Sequence, residues 1–379
     1  MNELLIVAAE NSAENYAAQI VDVFQRANTP VHFFGVGGDK MAEKGVELLF
    51  HNKELAVVGI IEVVSSIRKL KRVMNVLVKT TVARKAVAVL LIDYPDFNLR
   101  LAKKFKKAGI PVYYYISPTV WAWRYSRVHT IKKYVDHLFI IFPFEIPIYQ
   151  REEVPFTYTG HPMVPMIRVT ESRELFRQKR QIGAQELVVC LLPGSRRSEI
   201  DFLLPEMLVA MERLTNEFTL TLCLLKADNI DVSLIRYYLQ RSAVSVSIVP
   251  QSEGYNLINA ADIVLTTCGT SNLEIAILGV PFVAVYRVNP LSYKLGKRFV
   301  KIALYSIVNI LAGKEVVREL IQQNFTAENI VVEMRRILTD PGVRAEMLVH
   351  FDAIRQELAQ DSFPPEIIRR KITADLHLK

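Results

Sequence analysis

The stretch I-V-L-T-T-C-G-T-S-N-L-E-I-A-I-L-G, residues 263–279, decides the fold. Its apolar opening, residues 263–265, predicts a buried strand. Residues 266–270 form a turn of small residues whose only glycine, Gly269, lets a backbone or a ligand approach closely. Residues 271–278 then space their apolar side chains as a helix does. The N–H groups at the start of such a helix favour an anion, and a diphosphate is the commonest biological choice. Ser271 and Glu274 also stand at S-x-x-E spacing, a capping box that would occupy both without any ligand. Both readings are open at this point.

Working outward, the same grammar recurs. Residues 187–192 predict a strand, and P-G-S-R-R-S-E at 193–199 leads into another helix with paired arginines. It lacks the G-K-[ST] ending of a Walker A loop. Strands follow at 220–225 and 244–249. Near the start, residues 4–8 predict a strand, 12–25 a helix and 31–36 a second strand that runs into Gly35, Gly37 and Gly38. The run G-V-G-G-D-K fails the dinucleotide fingerprint, because Lys40 stands where the third glycine is needed and the run follows the second strand. An apolar strand at 86–92 ends in D-Y-P-D-F-N, residues 93–98, before a helix expected near Leu99. Carboxylates there lie where open parallel sheets hold their ligands, although Asp93 also suits a helix N-cap.

Further strands are expected at 112–116 and 138–142. Between them Trp121 and Trp123 read as core or domain-interface residues. The punctuation Gly160-His161-Pro162, with Pro165 behind it, marks the end of a first domain. From Glu171 the pattern restarts with a helix to Arg180, and beyond Asn324 the chain reads as helical. The fold class is therefore α/β, with two Rossmann-like domains, residues 1–165 and 166–345, and C-terminal helices, 346–379, that pack back on the first.

A length of 379 residues suits two cores, and 51% hydrophobic with 23% charged residues and no low-complexity tract predicts a globular chain throughout. The N-terminus lacks a basic n-region, so no signal peptide is expected, and no apolar run approaches the ~18 residues of a membrane span. A cytosolic location follows as the expectation. Cys190, Cys223 and Cys268 are scattered, and the histidines form no ligand pair, so neither a disulfide nor a metal is expected. The net charge of +8 is uneven. Residues 68–85 carry seven basic and no acidic residues on a segment where Ile67, Leu70, Met74 and Leu77 recur at helical spacing. Lys294, Lys297, Arg298 and Lys301 share a second helical face, opposite Leu291, Leu295, Phe299 and Ile302. Such helices suit an anionic membrane surface, and no nucleic-acid motif accompanies the charge.

Read together, A-E-x-S at 9–12, I-D-Y-P-D-F-N-L-R at 92–100, Y-x-I-S-P-T-V-W-A-W-R at 114–124, F-P-F-E, G-H-P, L-L-P-G-S-R-x-S-E-I at 191–200, C-G-T-S-N-L-E at 268–274 and N-I-L-A-G-K-E-V-V-R-E-L-I-Q at 309–322 resemble the lipid-A-disaccharide synthase family. The resemblance implies a double-Rossmann glycosyltransferase with its domains facing a central cleft, joining UDP-2,3-diacylglucosamine to 2,3-diacylglucosamine 1-phosphate with inversion and release of UDP. It implies no cofactor, no metal and no nucleic acid, and a peripheral place on the cytoplasmic face of a Gram-negative inner membrane. A homodimer is compatible with it. By similarity Asp93 is the base, with Glu10 and Ser12 beside it in catalysis. Gly194, Ser195, Arg196, Gly269, Thr270, Ser271, Glu274, Asn309 and Gln322 are the corresponding substrate-binding residues. Where the family's first loop reads G-E-x-S-G-D, this chain has Ala9, Glu10, Asn11, Ser12, Ala13 and Glu14. Cys268 replaces a serine, and Ile307 and Val308 replace a Leu-Pro pair. The altered loop is expected to slow the reaction or reshape acceptor choice, unless Asn11 and Glu14 merely form a capping box. The competing readings are a weakly active paralogue that binds nucleotide-sugar or acyl-lipid, and a basic protein acting on nucleic acid.

Overall fold

The computed structural model describes residues 2–55, 63–289 and 303–378, with the side chains of residue 11 and residues 63–67 outside the description. The second basic segment, with Lys294, Lys297, Arg298 and Lys301, lies outside the described residues. The chain divides into two compact units, Met1–Pro162 together with Leu358–Lys379, and Met163–Glu357.

The first unit holds a seven-stranded sheet. Its strands are β1 (Asn2–Ala8), β2 (Val31–Gly37), β3 (Glu47–His51), β4 (Ala88–Ile92), β5 (Val112–Tyr115), β6 (His137–Ile140) and β7 (Phe156–Tyr158). They lie in the order β3-β2-β1-β4-β5-β6-β7, every pair parallel. Apolar residues fill both faces of the central strands, as a sheet covered by helices on each side requires. Leu5, Val7, Val89 and Leu91 enter one core, whereas their neighbours Leu4, Ile6, Ala88, Leu90 and Ile92 enter the other. This is the period-two alternation of a strand with no polar side.

The second unit repeats the plan with six parallel strands in the order β10-β9-β8-β11-β12-β13. They are β8 (Leu187–Leu192), β9 (Leu220–Lys226), β10 (Val246–Pro250), β11 (Ile263–Thr267), β12 (Phe282–Tyr286) and β13 (Glu319–Ile321). In each unit the strand order turns back beside the first strand, between β1 and β4 and between β8 and β11. Crevices at those turning points are where such sheets bind ligands.

The C-terminal helix Pro364–Asp375 packs on helix Asn11–Arg26, with Ile368 and Ile372 fully buried beside Ala13, Ala17 and Ile20. The expected break at 345/346 falls inside the continuous helix Pro341–Leu358, and the units part at 357/358 instead. The helix expected near Leu99 begins at Pro95, where a proline in the first turn loses no hydrogen bond. Trp121 and Trp123 are half-buried. Trp121 meets Phe144 edge-on at 5.3 Å, and Trp123 lies beneath the guanidinium groups of Arg124 and Arg127. Among the described residues no helix is long and apolar enough to cross a membrane.

Candidate functional site

Glu10 follows β1 and Asp93 follows β4, adjacent strands paired through Ala8 and Ile92. Both carboxylates therefore stand at the turning point of the first sheet. Asp93 and Tyr94 are consecutive non-glycine residues in the left-handed region, at φ 50 and 46. Backbone held there costs energy and persists only where its surroundings enforce it. Here the buried Asn98 donates to the carbonyls of Ile92 (3.1 Å) and Asp93 (2.8 Å), and the Tyr114 hydroxyl donates to Asp93 O (2.6 Å). The N-cap of the following helix is Tyr94, so Asp93 is not its cap. Burial first, and the charge of Glu10 second, raise the Asp93 carboxyl from 3.8 to about 6, and the Tyr94 N–H only partly offsets them. A cavity of about 380 Å³ beside it is lined by Glu10, Tyr94, Asp96 and Arg100 with the apolar Leu70, Met74 and Phe97. Ser12 is exposed on the first turn of its helix.

The second unit uses the same device. Asn272 donates to Thr267 O at 2.9 Å, five residues back, as Asn98 does to Asp93. That clamp shapes a loop which, with residues 194–196, lines a concave site of about 480 Å³. Gly194, Ser195, Arg196, Gly269, Thr270, Ser271 and Glu274 all meet there. The Ser271–Glu274 capping box does not form: Ser271 Oγ lies 3.2 Å from Thr266 Oγ1, and Glu274 accepts from the Tyr255 hydroxyl at 3.0 Å. Burial raises the Glu274 carboxyl.

The other helix start is capped from within. Glu199 accepts from the N–H groups of Ser195 (2.8 Å) and Arg196 (3.1 Å) and from the Arg196 guanidinium (2.9 Å). Its oxygen would lie 2.4 Å from a Cβ at position 194, and Gly194 sits at φ 117, so glycine is required twice over. What this loop offers a ligand is the Arg196 side chain, 75% exposed but tethered to Glu199.

Asn309 and Gln322 do not join that cavity. Asn309 is fully buried, donating to Val317 O (2.8 Å) and Glu319 (2.7 Å) and accepting from Val316 N and Val317 N (2.8 and 2.9 Å). Its amide has no bond left for a ligand. Gln322, left-handed at φ 54, sets its amide against both backbone groups of Val288.

The first loop differs from expectation. Ala9 and Ala13 are buried in the two cores of the sheet instead of lining a site. Glu10, not Asn11, is the N-cap of the helix, and Glu14 accepts from Lys40 N and Asn52 Nδ2, both at 2.8 Å, and packs against Gly38. Glu14→Asp, one methylene shorter, is therefore expected to destabilise the first unit by roughly 1–2 kcal/mol without improving kcat/KM for an acceptor. A denaturant midpoint that does not move would remove Glu14 from this clasp.

A sequence model described as Lipid-A-disaccharide synthetase matches residues 4–362. The chain belongs to that family. The lipid-A-disaccharide synthase of Geobacter sulfurreducens is 38% identical over 94% of this chain and 93% of its own length, and that of Myxococcus xanthus shares the same figures. Among solved structures, the S. aureus MnaA-UDP co-structure superposes with a TM-score of 0.68 at 12% identity, covering 100% of this chain and 98% of that one. That likeness carries the double-Rossmann fold alone. Sequence reasoning missed Asn98, Tyr114, Glu199 and Asn272, although Asn98 and Asn272 each stand five residues beyond the strand-end residue they clamp.

Proposed function

We propose that the chain is the glycosyltransferase that joins UDP-2,3-diacylglucosamine to 2,3-diacylglucosamine 1-phosphate, giving lipid A disaccharide 1-phosphate and UDP. Family membership supports the reaction, and the buried Asp93 carboxyl at the turning point of the first sheet carries its mechanism. The acceptor 6-hydroxyl attacks the anomeric carbon of the donor from the side opposite UDP. Asp93 takes the hydroxyl proton as the new C–O bond forms, and the bond from the anomeric carbon to the diphosphate breaks with its electron pair leaving on UDP. A single displacement of this kind inverts the anomeric centre. A base near 6 is ionised at neutral pH and still basic enough to accept the proton.

In the second unit the Thr270 and Ser271 loop and the Arg196 guanidinium meet the diphosphate, while Glu274, held by Tyr255, accepts hydroxyls of the nucleotide-sugar. The helix Val63–Ala83, with Arg68, Lys69, Lys71, Arg72 and Lys79 exposed, suits the anionic inner-membrane surface where an acylated substrate resides. Mass spectrometry of the products from that donor and acceptor tests the reading. The expected result is the disaccharide 1-phosphate with one UDP released, and absence of that product overturns it.

Arg196→Ala is expected to weaken UDP binding by about 1.5–3 kcal/mol, because it removes a charge-assisted contact and leaves the Glu199 carboxylate facing the diphosphate. Calorimetry that finds UDP affinity unchanged would take Arg196 out of the site.

A further inference from the structure

Beside the Asp93 crevice, helices Pro95–Lys107 and Arg127–Tyr134 enclose a groove of about 520 Å³. It shares Pro95, Asp96 and Arg100 with the cavity that Glu10 and Tyr94 line. Leu99, Arg100 and Lys103 form one wall; Arg127, Lys133 and Tyr134 form the other. The ammonium groups of Lys103 and Lys133 lie 5.8 and 5.6 Å from the centre of the Tyr134 ring. The carboxylate in the lining, Asp96, is already held between Arg124 (2.9 Å) and Arg127 (2.7 Å). Arg127 itself is only 9% exposed, a guanidinium fixed in place by that bond. Among the described residues Arg100, Lys103 and Lys133 have no carboxylate within ion-pair reach. Like charges converging on one open groove repel one another until an anion joins them.

We propose that this groove is a phosphomonoester subsite that takes the anomeric phosphate of the acceptor. It rests on the acceptor reading given above. A phosphomonoester carries close to two negative charges at neutral pH and three strong acceptor oxygens, which matches several donors on flexible stems around one fixed guanidinium. Arg100 and Lys103 stand roughly 6 and 10 Å along the helix from Asp96 by the rise per residue. The groove opens off the cavity beside Asp93 through the shared Pro95, Asp96 and Arg100, so a hexose whose 6-hydroxyl lies at Asp93 has the groove within reach of its phosphate.

The test pairs Lys103→Glu with Lys133→Glu in one variant, with the thermal unfolding of the first unit as the measure of intact folding, since both residues belong to it. Glucosamine 1-phosphate and unphosphorylated glucosamine are titrated into both proteins by NMR. The parent is expected to favour the phosphorylated sugar, and the variant to lose at least about tenfold of that affinity. In neutral detergent, kcat/KM for 2,3-diacylglucosamine 1-phosphate should fall by a similar factor, while the same acceptor without its phosphate is unaffected. Unchanged glucosamine 1-phosphate affinity overturns the subsite, as does an equal loss with both acceptors. A loss seen only with anionic vesicles, and absent in neutral detergent, assigns the groove to bilayer headgroups and also overturns it. If the parent makes no disaccharide at all yet binds glucosamine 1-phosphate through Lys103 and Lys133, the reaction falls and the subsite stands.

Discussion

Asp93→Asn is expected to lower kcat by roughly 100-fold or more while leaving UDP affinity nearly intact, the pattern of a lost general base. The parent should show a kcat that rises with pH through about 6 and then levels, because only the ionised carboxylate accepts a proton. The variant should lack that limb. Stability separates this outcome from misfolding. With its folded value raised from 3.8 to about 6, the carboxyl binds a proton more tightly folded than unfolded, so stability falls as pH rises through that window. Asparagine escapes the cost of ionising in a buried place, on the order of 3 kcal/mol at neutral pH. The variant should therefore melt no lower than the parent at pH 7. A folded variant with near-normal kcat would leave Asp93 as a strand-end residue and no more.

The second large effect falls on stability. Asn309→Ala removes both ends of a buried amide and strands Val316 N–H, Val317 N–H and the Val317 carbonyl. Each buried group left unpaired costs about 1–3 kcal/mol, so a loss of roughly 3 kcal/mol or more is expected. Glu319, which also accepts from the N–H groups of Tyr305 and Ser306, loses the donor that anchors it, and its charge reaches Cys268 in the cavity that Arg196 and Thr270 line. Calorimetric unfolding should show the drop in the second unit. Unchanged unfolding with weakened UDP binding would instead make Asn309 a ligand.

The strands that carry the sites were legible because each is an apolar run long enough to show its kind. Residues 187–192 coincide with β8, and β1, β2, β4 and β11 lie within two residues of their expected ends. Strands β7 and β13 have three residues each, F-T-Y and E-L-I, too few for any period to appear, and the sheet alone recruits them. The residues that meet in the cavity of the second unit were legible as two loops following two strands, since topology brings strand ends together. What sequence spacing misassigned were the hydrogen bonds. S-x-x-E at Ser271 and the spacing of Asn11 and Glu14 both suggest capping boxes, yet Tyr255 and Lys40, 19 and 26 residues away from Glu274 and Glu14, hold those carboxylates instead. Partners so remote in sequence leave no local mark.

The chain leaves the first unit at Pro162 and returns at Leu358, where Gly160 and His161 meet it, the His161 N–H donating to Leu358 O at 3.0 Å. The second unit is thus threaded into the first as a passenger. During synthesis on a ribosome, the domain whose residues emerge last in part, the first, must wait with Ala13, Ala17 and Ile20 uncovered until Ile368 and Ile372 are made. The second unit, continuous in the chain, can close its own core beforehand. The unit that begins the chain is thus the one whose core is sealed last, by its final helix.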